Sequence, residues 1–193
     1  MKNEILKHAV TLFNEQGINK TSFRDIAESL QISDGHVRYY FKTKEILLMS
    51  IFDQLDQEII EAAKIPAQLE QDIYTLLMLN IEQIFQLAVK YRFLFVESPK
   101  TIGQYPNLLK SYRNLMGRRK EMIFGAFKAF DEMHLFHSGF DLQAREYAFY
   151  TIFIVSDGWM RTFLLTNTKE PDKKAIKFHS NLIMQILKPY LKI

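Results

Sequence analysis

The sequence predicts an all-α protein, with a small N-terminal three-helix module over residues 1–46 joined to a larger helical domain over residues 47–193. Three observations carry this. Only 7 Gly and 5 Pro occur in 193 residues, so long stretches lack turn signals, which disfavours a sandwich or barrel built from hairpins. Apolar residues recur at three- and four-residue steps through those stretches, and a 48% hydrophobic chain of this length can bury a sizeable core. Residues Ser22 to Lys44 have the spacing of a helix-turn-helix.

A first helix is expected from about Asn3 to Gln16, where Ile5, Ala9, Leu12 and Phe13 share a face and Gly17 supplies the stop. Ser22 then caps a second helix, with Asp25 three positions on completing a capping-box pattern. Leu30-Gln31-Ile32 forms the turn. Ser33 caps a short third helix ending near Phe41. Ala27 is small where the two helices cross, Val37 packs back on the first of them, and Ile26, Leu30 and Ile32 complete the core.

Thr43 caps a fourth helix running to about Lys64, before Pro66, with Leu47, Leu48, Ile51, Phe52, Leu55 and Ile59 in helical register. Further helices are expected over about Leu69–Val89 and Asn107–Phe130. Between them lie a segment from Tyr91 to Val96 and the breakers Ser98-Pro99 and Gly103 to Pro106. Met133 to Asp141 reads as a loop, followed by helices over about Leu142–Thr166 and Asp172–Leu191. On the last helix Ile176, His179, Leu182, Ile183, Ile186, Leu187 and Tyr190 form an apolar stripe. On the preceding one Tyr147, Thr151, Ile154, Val155, Gly158 and Thr162 offer small and β-branched residues. These two helices are the expected homodimer interface, a four-helix arrangement with a twofold-related copy; packing within one chain is the competing reading.

Charge and composition narrow the function. The net charge of +3 is too small to name a partner, but five of the seven basic residues before position 46 lie between Lys20 and Lys44. With no Cys there are no disulfides, thiolate metal sites or cysteine nucleophiles. The first 16 residues carry Glu4 and Glu15 in an amphipathic pattern, unlike a signal peptide. The longest apolar run, Tyr147 to Val155, falls far short of the roughly 18 residues of a membrane span. A soluble, cytoplasmic protein that does not partner a membrane is expected. No P-loop or dinucleotide glycine pattern occurs, and no nucleophile and base stand at recognisable spacing. His134 and His137 lack the Glu-bearing context of a zinc motif, so neither catalytic residues, metal ligands nor a cofactor are expected.

Residues left over by the helix-turn-helix core suit a nucleic-acid duplex. Gly35 allows the backbone to approach a base edge closely, and His36 can donate or accept at one. Arg38 can read the O6 and N7 edge of guanine or clamp a phosphate. Tyr39 and Tyr40 can donate to phosphate oxygens, although one of two adjacent aromatics is often core. Lys44, in the first turn of the fourth helix, and Ser22, at the start of the second, stand where phosphates bind; Arg24 can reach a base or the backbone.

Thr21-Ser22-Phe23-Arg24-Asp25-Ile26-Ala27, Ile32 through Phe41, and Lys44-Glu45-Ile46-Leu47-Leu48 together resemble the DNA-binding signature of the TetR/AcrR family of bacterial transcriptional regulators. Ala9, Leu12-Phe13 and Gly17 fit as well. The likeness covers about the first 48 residues, with two departures: Gln31 where the family often has Gly, so that a non-Gly residue would take a left-handed conformation at about 1 kcal/mol, and Arg38 where it commonly has Tyr. The resemblance implies an all-helical homodimer that binds a palindromic double-stranded DNA operator and is released, as a repressor, by a small-molecule effector in the C-terminal domain. Phe93, Tyr112, Met116, Phe127, Tyr150, Phe153 and Trp159 lie on the helices that would enclose its pocket, which points to an apolar or aromatic effector. A helical body that binds a protein partner instead of a small molecule is the alternative.

Overall fold

The computed structural model describes residues 1–64 and 72–192. The described residues form helices α1 (Lys2–Gln16), α2 (Phe23–Ser29), α3 (Asp34–Tyr40), α4 (Lys44–Ala62), α5 (Ile73–Lys90), α6 (Phe93–Val96), α7 (Pro99–Ile102), α8 (Pro106–Glu132), α9 (Leu142–Thr166) and α10 (Lys173–Leu187), ending in a 3₁₀ turn over Lys188–Tyr190. No helix among them is long and apolar enough to cross a membrane. The all-α expectation therefore holds. The chain divides into two compact units, Met1–Glu58 with Lys90–Arg113, and Ile59–Val89 with Asn114–Ile193. The boundaries between these compact units fall inside α4 and inside α8, so each of those helices contributes residues to both.

In the first unit the helix-turn-helix is built as its residues dictate. Gly17 ends α1 at φ +83°, its N–H bonded to the Phe13 carbonyl, a conformation that favours a residue without Cβ. Ser22 and Asp25 form the reciprocal capping box on α2. Gln31 turns the chain at φ +55°, the left-handed geometry anticipated there, and Ser33 caps α3. Ile5, Ala9, Phe13, Ile26, Ala27, Val37, Phe41, Leu47 and Leu48 are buried together, so the small residue and the returning Val occupy the helix crossing.

This core is closed by residues distant in sequence. Asn14 donates to the Lys90 carbonyl at 2.8 Å and accepts from the Phe93 N–H at 3.0 Å, while the Phe13 and Phe93 rings meet at 5.1 Å. The Glu97 carboxylate accepts from the Ile18 N–H at 2.8 Å. Glu58 accepts from Lys90, the Tyr91 hydroxyl and Gln54, all within 2.9 Å. Burial opposes the Glu58 charge, but those three donors outweigh it and hold the carboxyl below its ordinary pKa. Burial, reinforced by the same carboxylate, pushes the Tyr91 hydroxyl well up. α7 was not anticipated; Ser98 caps it and Pro99 occupies its first position, where a missing N–H costs nothing.

The second unit packs an aromatic core. Phe127 meets Phe140 at 5.0 Å and Phe136 at 5.8 Å, and Phe140 stacks on Tyr190 at 4.4 Å. Arg145 donates to both Asp131 oxygens and to the Phe140 carbonyl, with its guanidinium 5.1 Å from the Phe140 ring centre. The segment read as a loop from Met133 is therefore tightly ordered. His134 sits at φ +57°, and Phe136 pairs with Leu191 in an isolated antiparallel bridge. α5 starts at Ile73 because Asp72 bonds the Thr75 N–H; the expected start at Leu69 lies outside the described residues. α10 stops at Leu187 rather than Leu191, since Pro189 cannot donate the next helical hydrogen bond.

One expectation needs correction. Of the α10 stripe assigned to dimerisation, Ile176, Ile183 and Leu187 are buried in the chain's own core, and His179 bonds the Ala175 carbonyl while packing 4.8 Å from Trp159. The stripe was too broad for one purpose: its buried side holds α10 to the unit, leaving Leu182 and the unanticipated Phe178 exposed. Most of the α9 face, including Tyr147, Thr151, Ile154, Gly158 and Thr162, is exposed.

Candidate nucleic-acid interface

α3 is short because Phe41 turns extended at its end and buries its ring. With Val37 also buried, the rest of the helix is left to solvent. His36 is exposed and 5.6 Å from the Tyr40 ring, which Tyr39 meets edge-on at 5.2 Å. Tyr39 is 80% exposed and Tyr40 half-buried, so neither of the adjacent tyrosines is core; Phe41 takes that place. A Cβ built on Gly35 would meet only the Ser33 hydroxyl, at 3.9 Å, so nothing within the protein requires glycine there.

The basic residues are held by neighbours. Arg24 pairs through Nε with Glu28 at 2.9 Å, both largely exposed. Arg38 pairs through Nε with Asp34 at 2.6 Å, its guanidinium 5.1 Å from the Phe23 ring centre at the start of α2. Exposed i,i+4 pairs of this kind stabilise a helix by only about 0.3–0.5 kcal/mol, so their effect is to orient rather than to fold. Ser22 uses its N–H and hydroxyl oxygen in the capping box and keeps its hydroxyl hydrogen. The Ser22 backbone bond, then its side-chain bond, keeps Asp25 ionised below the ordinary carboxylate range.

Lys44 differs from its sequence reading. Its ammonium reaches back to the Ile18 carbonyl at 2.9 Å, tying the start of α4 to the loop after α1. Burial lowers its pKa, with Asp25 acting in the opposite sense. Lys44→Ala is therefore expected to lower the thermal midpoint as well as DNA affinity, because removing a charged donor from the carbonyl of the buried Ile18 costs about 1–3 kcal/mol. Thermal unfolding checks this: an unchanged midpoint would mean that the ammonium is not structural.

The seven residues proposed to touch an effector divide between the two units. Phe93 and Tyr112 belong to the first unit, where Phe93 packs on Phe13 and the Tyr112 hydroxyl donates to the Leu94 carbonyl at 2.6 Å. Met116, Phe127, Tyr150, Phe153 and Trp159 belong to the second. There Met116 and Tyr150 are exposed, Phe153 half-buried 6.0 Å from Phe149, and Phe127 lies in the aromatic core. Trp159 is buried 4.9 Å from Phe85, with its indole N–H unpartnered. Open grooves among the described residues include one of about 930 Å³ beside Leu6, Val10, Gln54 and Tyr91 and another of about 600 Å³ beside Phe163, Phe178 and His179. None of the seven lines either. Periodicity identified apolar faces but carried no information on which faces meet. It also missed Asn14 and Glu97, whose partners lie 79 residues away, and Asp34, whose i,i+4 relation to Arg38 was readable.

Two family models match consecutive parts of the chain: bacterial regulatory proteins of the tetR family over residues 5–51, and TetR, bacterial transcriptional repressor, over residues 53–192. The probable HTH-type transcriptional regulator YttP of Bacillus subtilis is 46% identical over 43 residues, 22% of this chain and 21% of its own. The curated relatives are matched over only about a fifth to three fifths of their lengths. A crystal structure of a TetR-family transcriptional regulator from Marinobacter aquaeolei superposes over 100% of this chain and 91% of its own, with TM-score 0.83 at 22% identity. The SmeT–triclosan complex covers 99% of this chain and 91% of its own, with TM-score 0.70 at 18% identity. These likenesses give the fold, and the family models, which together span almost the whole chain, give the relationship. The chain therefore belongs to the TetR family of bacterial transcriptional regulators.

Proposed function

We propose that the protein is a homodimeric repressor that binds an approximately palindromic operator through α2 and α3 and is released when a small, mainly apolar or aromatic effector binds its second unit. The observation that carries this reading is the solvent face of α3, where Gly35, His36, Arg38 and Tyr39 are exposed together beside Ser22 and Arg24. Tyrosine hydroxyls and the Ser22 hydroxyl position the helix on phosphates, while Gly35, His36 and Arg38 meet base edges.

Dimerisation is supported by α9, on which Tyr147 (64% exposed), Ile154 (66%) and Leu165 (81%) share a stripe, and by α10, where Phe178 is 61% exposed. Side chains of this size left open to water favour burial against a second copy at roughly 25 cal/mol per Å². Two readers in such a dimer address half-sites about one helical turn of DNA apart or somewhat more. The effector reading is supported by the aromatic interior around Phe85 and Trp159 and by SmeT, which has been solved with triclosan. An effector that prefers the non-binding conformation by about 2–3 kcal/mol lowers operator affinity roughly thirty- to a hundred-fold.

Selection of bound sequences from a random duplex library tests the operator reading. A shared palindromic motif is expected, and it supplies the probe for effectors that release the protein. Folded protein that enriches no motif would overturn it.

A further inference from the structure

We infer that Asp34 is a positioning residue for Arg38, and that the pair reads one guanine in each operator half-site. The inference rests on the operator reading above and extends it to the base that α3 selects. Arg38 is held at two points: Nε donates to Asp34 Oδ2 at 2.6 Å, and the guanidinium lies 5.1 Å from the Phe23 ring centre. The first sets the direction of the guanidinium and the second restrains its roll. Its Nη1 and Nη2 groups make no hydrogen bond among the described residues. The other Asp34 oxygen, Oδ1, is buried without a partner, so the oxygen on the accessible side of the carboxylate is the one the arginine engages.

A guanidinium anchored through Nε presents its two terminal nitrogens as a fork. That fork matches the O6 and N7 acceptors of guanine in the major groove and no other base edge there equally well. A phosphate is the poorer partner. The Asp34 charge cancels much of the arginine's long-range attraction and repels a second anion nearby, whereas a guanine edge is neutral and responds to the directed N–H groups. The pair thus contributes selectivity with little net charge.

Wild-type, Arg38→Ala and Asp34→Asn proteins, each checked for helix content, are compared on the selected operator, on random duplex and on the operator with 7-deazaguanine at the motif guanine. Wild-type binding is expected to fall about tenfold on losing N7, and Arg38→Ala to lose about the same with no further penalty from the modified base. Its salt slope changes by much less than the roughly one unit of a phosphate contact. Asp34→Asn, which frees the arginine and removes a negative charge, binds random duplex more tightly while its operator preference falls several-fold. A motif whose guanine is retained after selection with Arg38→Ala overturns the inference alone. Equal losses by Arg38→Ala on operator and random duplex, with a full unit of salt slope, assign Arg38 to phosphate and also overturn it. Folded wild-type protein that selects no motif overturns both this inference and the operator reading.

Discussion

Ile154→Asp is expected to yield a folded monomer and to weaken operator binding by about 10²- to 10⁴-fold. Ile154 is 66% exposed near the middle of α9, in the stripe that includes Tyr147, Thr151, Gly158, Thr162 and Leu165. In the isolated chain a carboxylate there stays in water and costs little. In a dimer it would be buried against apolar side chains without a partner, at several kcal/mol for each copy. Affinity falls so far because the second reader of a dimer binds at the high effective concentration set by the first, and a monomer has no such partner. Gly158→Leu offers an independent route to the same end, since a Cβ there meets nothing within 4 Å in the chain, and a larger side chain would wedge the helices of two copies apart. Ile183→Asp is the contrasting variant: Ile183 is only 2% exposed, so this change should unfold the second unit instead of separating subunits. Sedimentation velocity, circular dichroism and operator titration together distinguish these outcomes. A folded dimer with Ile154→Asp would place the interface on another face.

Gly35→Leu is expected to leave the fold intact, or slightly stabilised, while reducing operator binding on the order of a hundredfold. Replacing a helix glycine by leucine gains roughly 0.8 kcal/mol of helix propensity. The site has room for the first carbon, and Gly35 is exposed. The loss arises only when α3 enters a groove, where the added side chain separates backbone from base edge at both half-sites. A combined cost of about 2.7 kcal/mol gives the stated factor. Gly35→Ala should lose less. Thermal unfolding and fluorescence-monitored titration of the selected duplex separate the two effects. Undiminished binding by a folded Gly35→Leu protein would show that the backbone at this position stands clear of the DNA.

The helix-turn-helix was legible almost residue by residue because its determinants are local. Ser22 and Asp25 satisfy one another three residues apart, Gln31 and Gly17 turn the chain at their own φ angles, and Val37 packs on a helix only ten residues earlier. The same locality made the long helices readable from their periodicity, and Asp141 and Asp172 cap α9 and α10 through bonds to N–H groups three residues on. The surface residues of α3 were readable as a set once the buried positions were assigned.

The partners of those residues followed a different rule. Lys44 lies where a phosphate site was expected, yet its ammonium is bound to Ile18, and Asn14 and Glu97 hydrogen-bond to segments more than 70 residues away. The α10 stripe was a correct statement of amphipathicity, but Ile183 and Leu182 have opposite environments within it. The scattered aromatics Phe93, Tyr112 and Trp159 show the same limit, each apolar at the right period and each packed in a different place. By itself the sequence determined the helices, their caps, the reading helix and the family, because those depend on contacts within a few turns of the chain. Which apolar face closes on its own core, which is left open, and which charged groups are already engaged was decided only by tertiary structure. Burial and hydrogen bonding depend on distances between segments that no local period encodes.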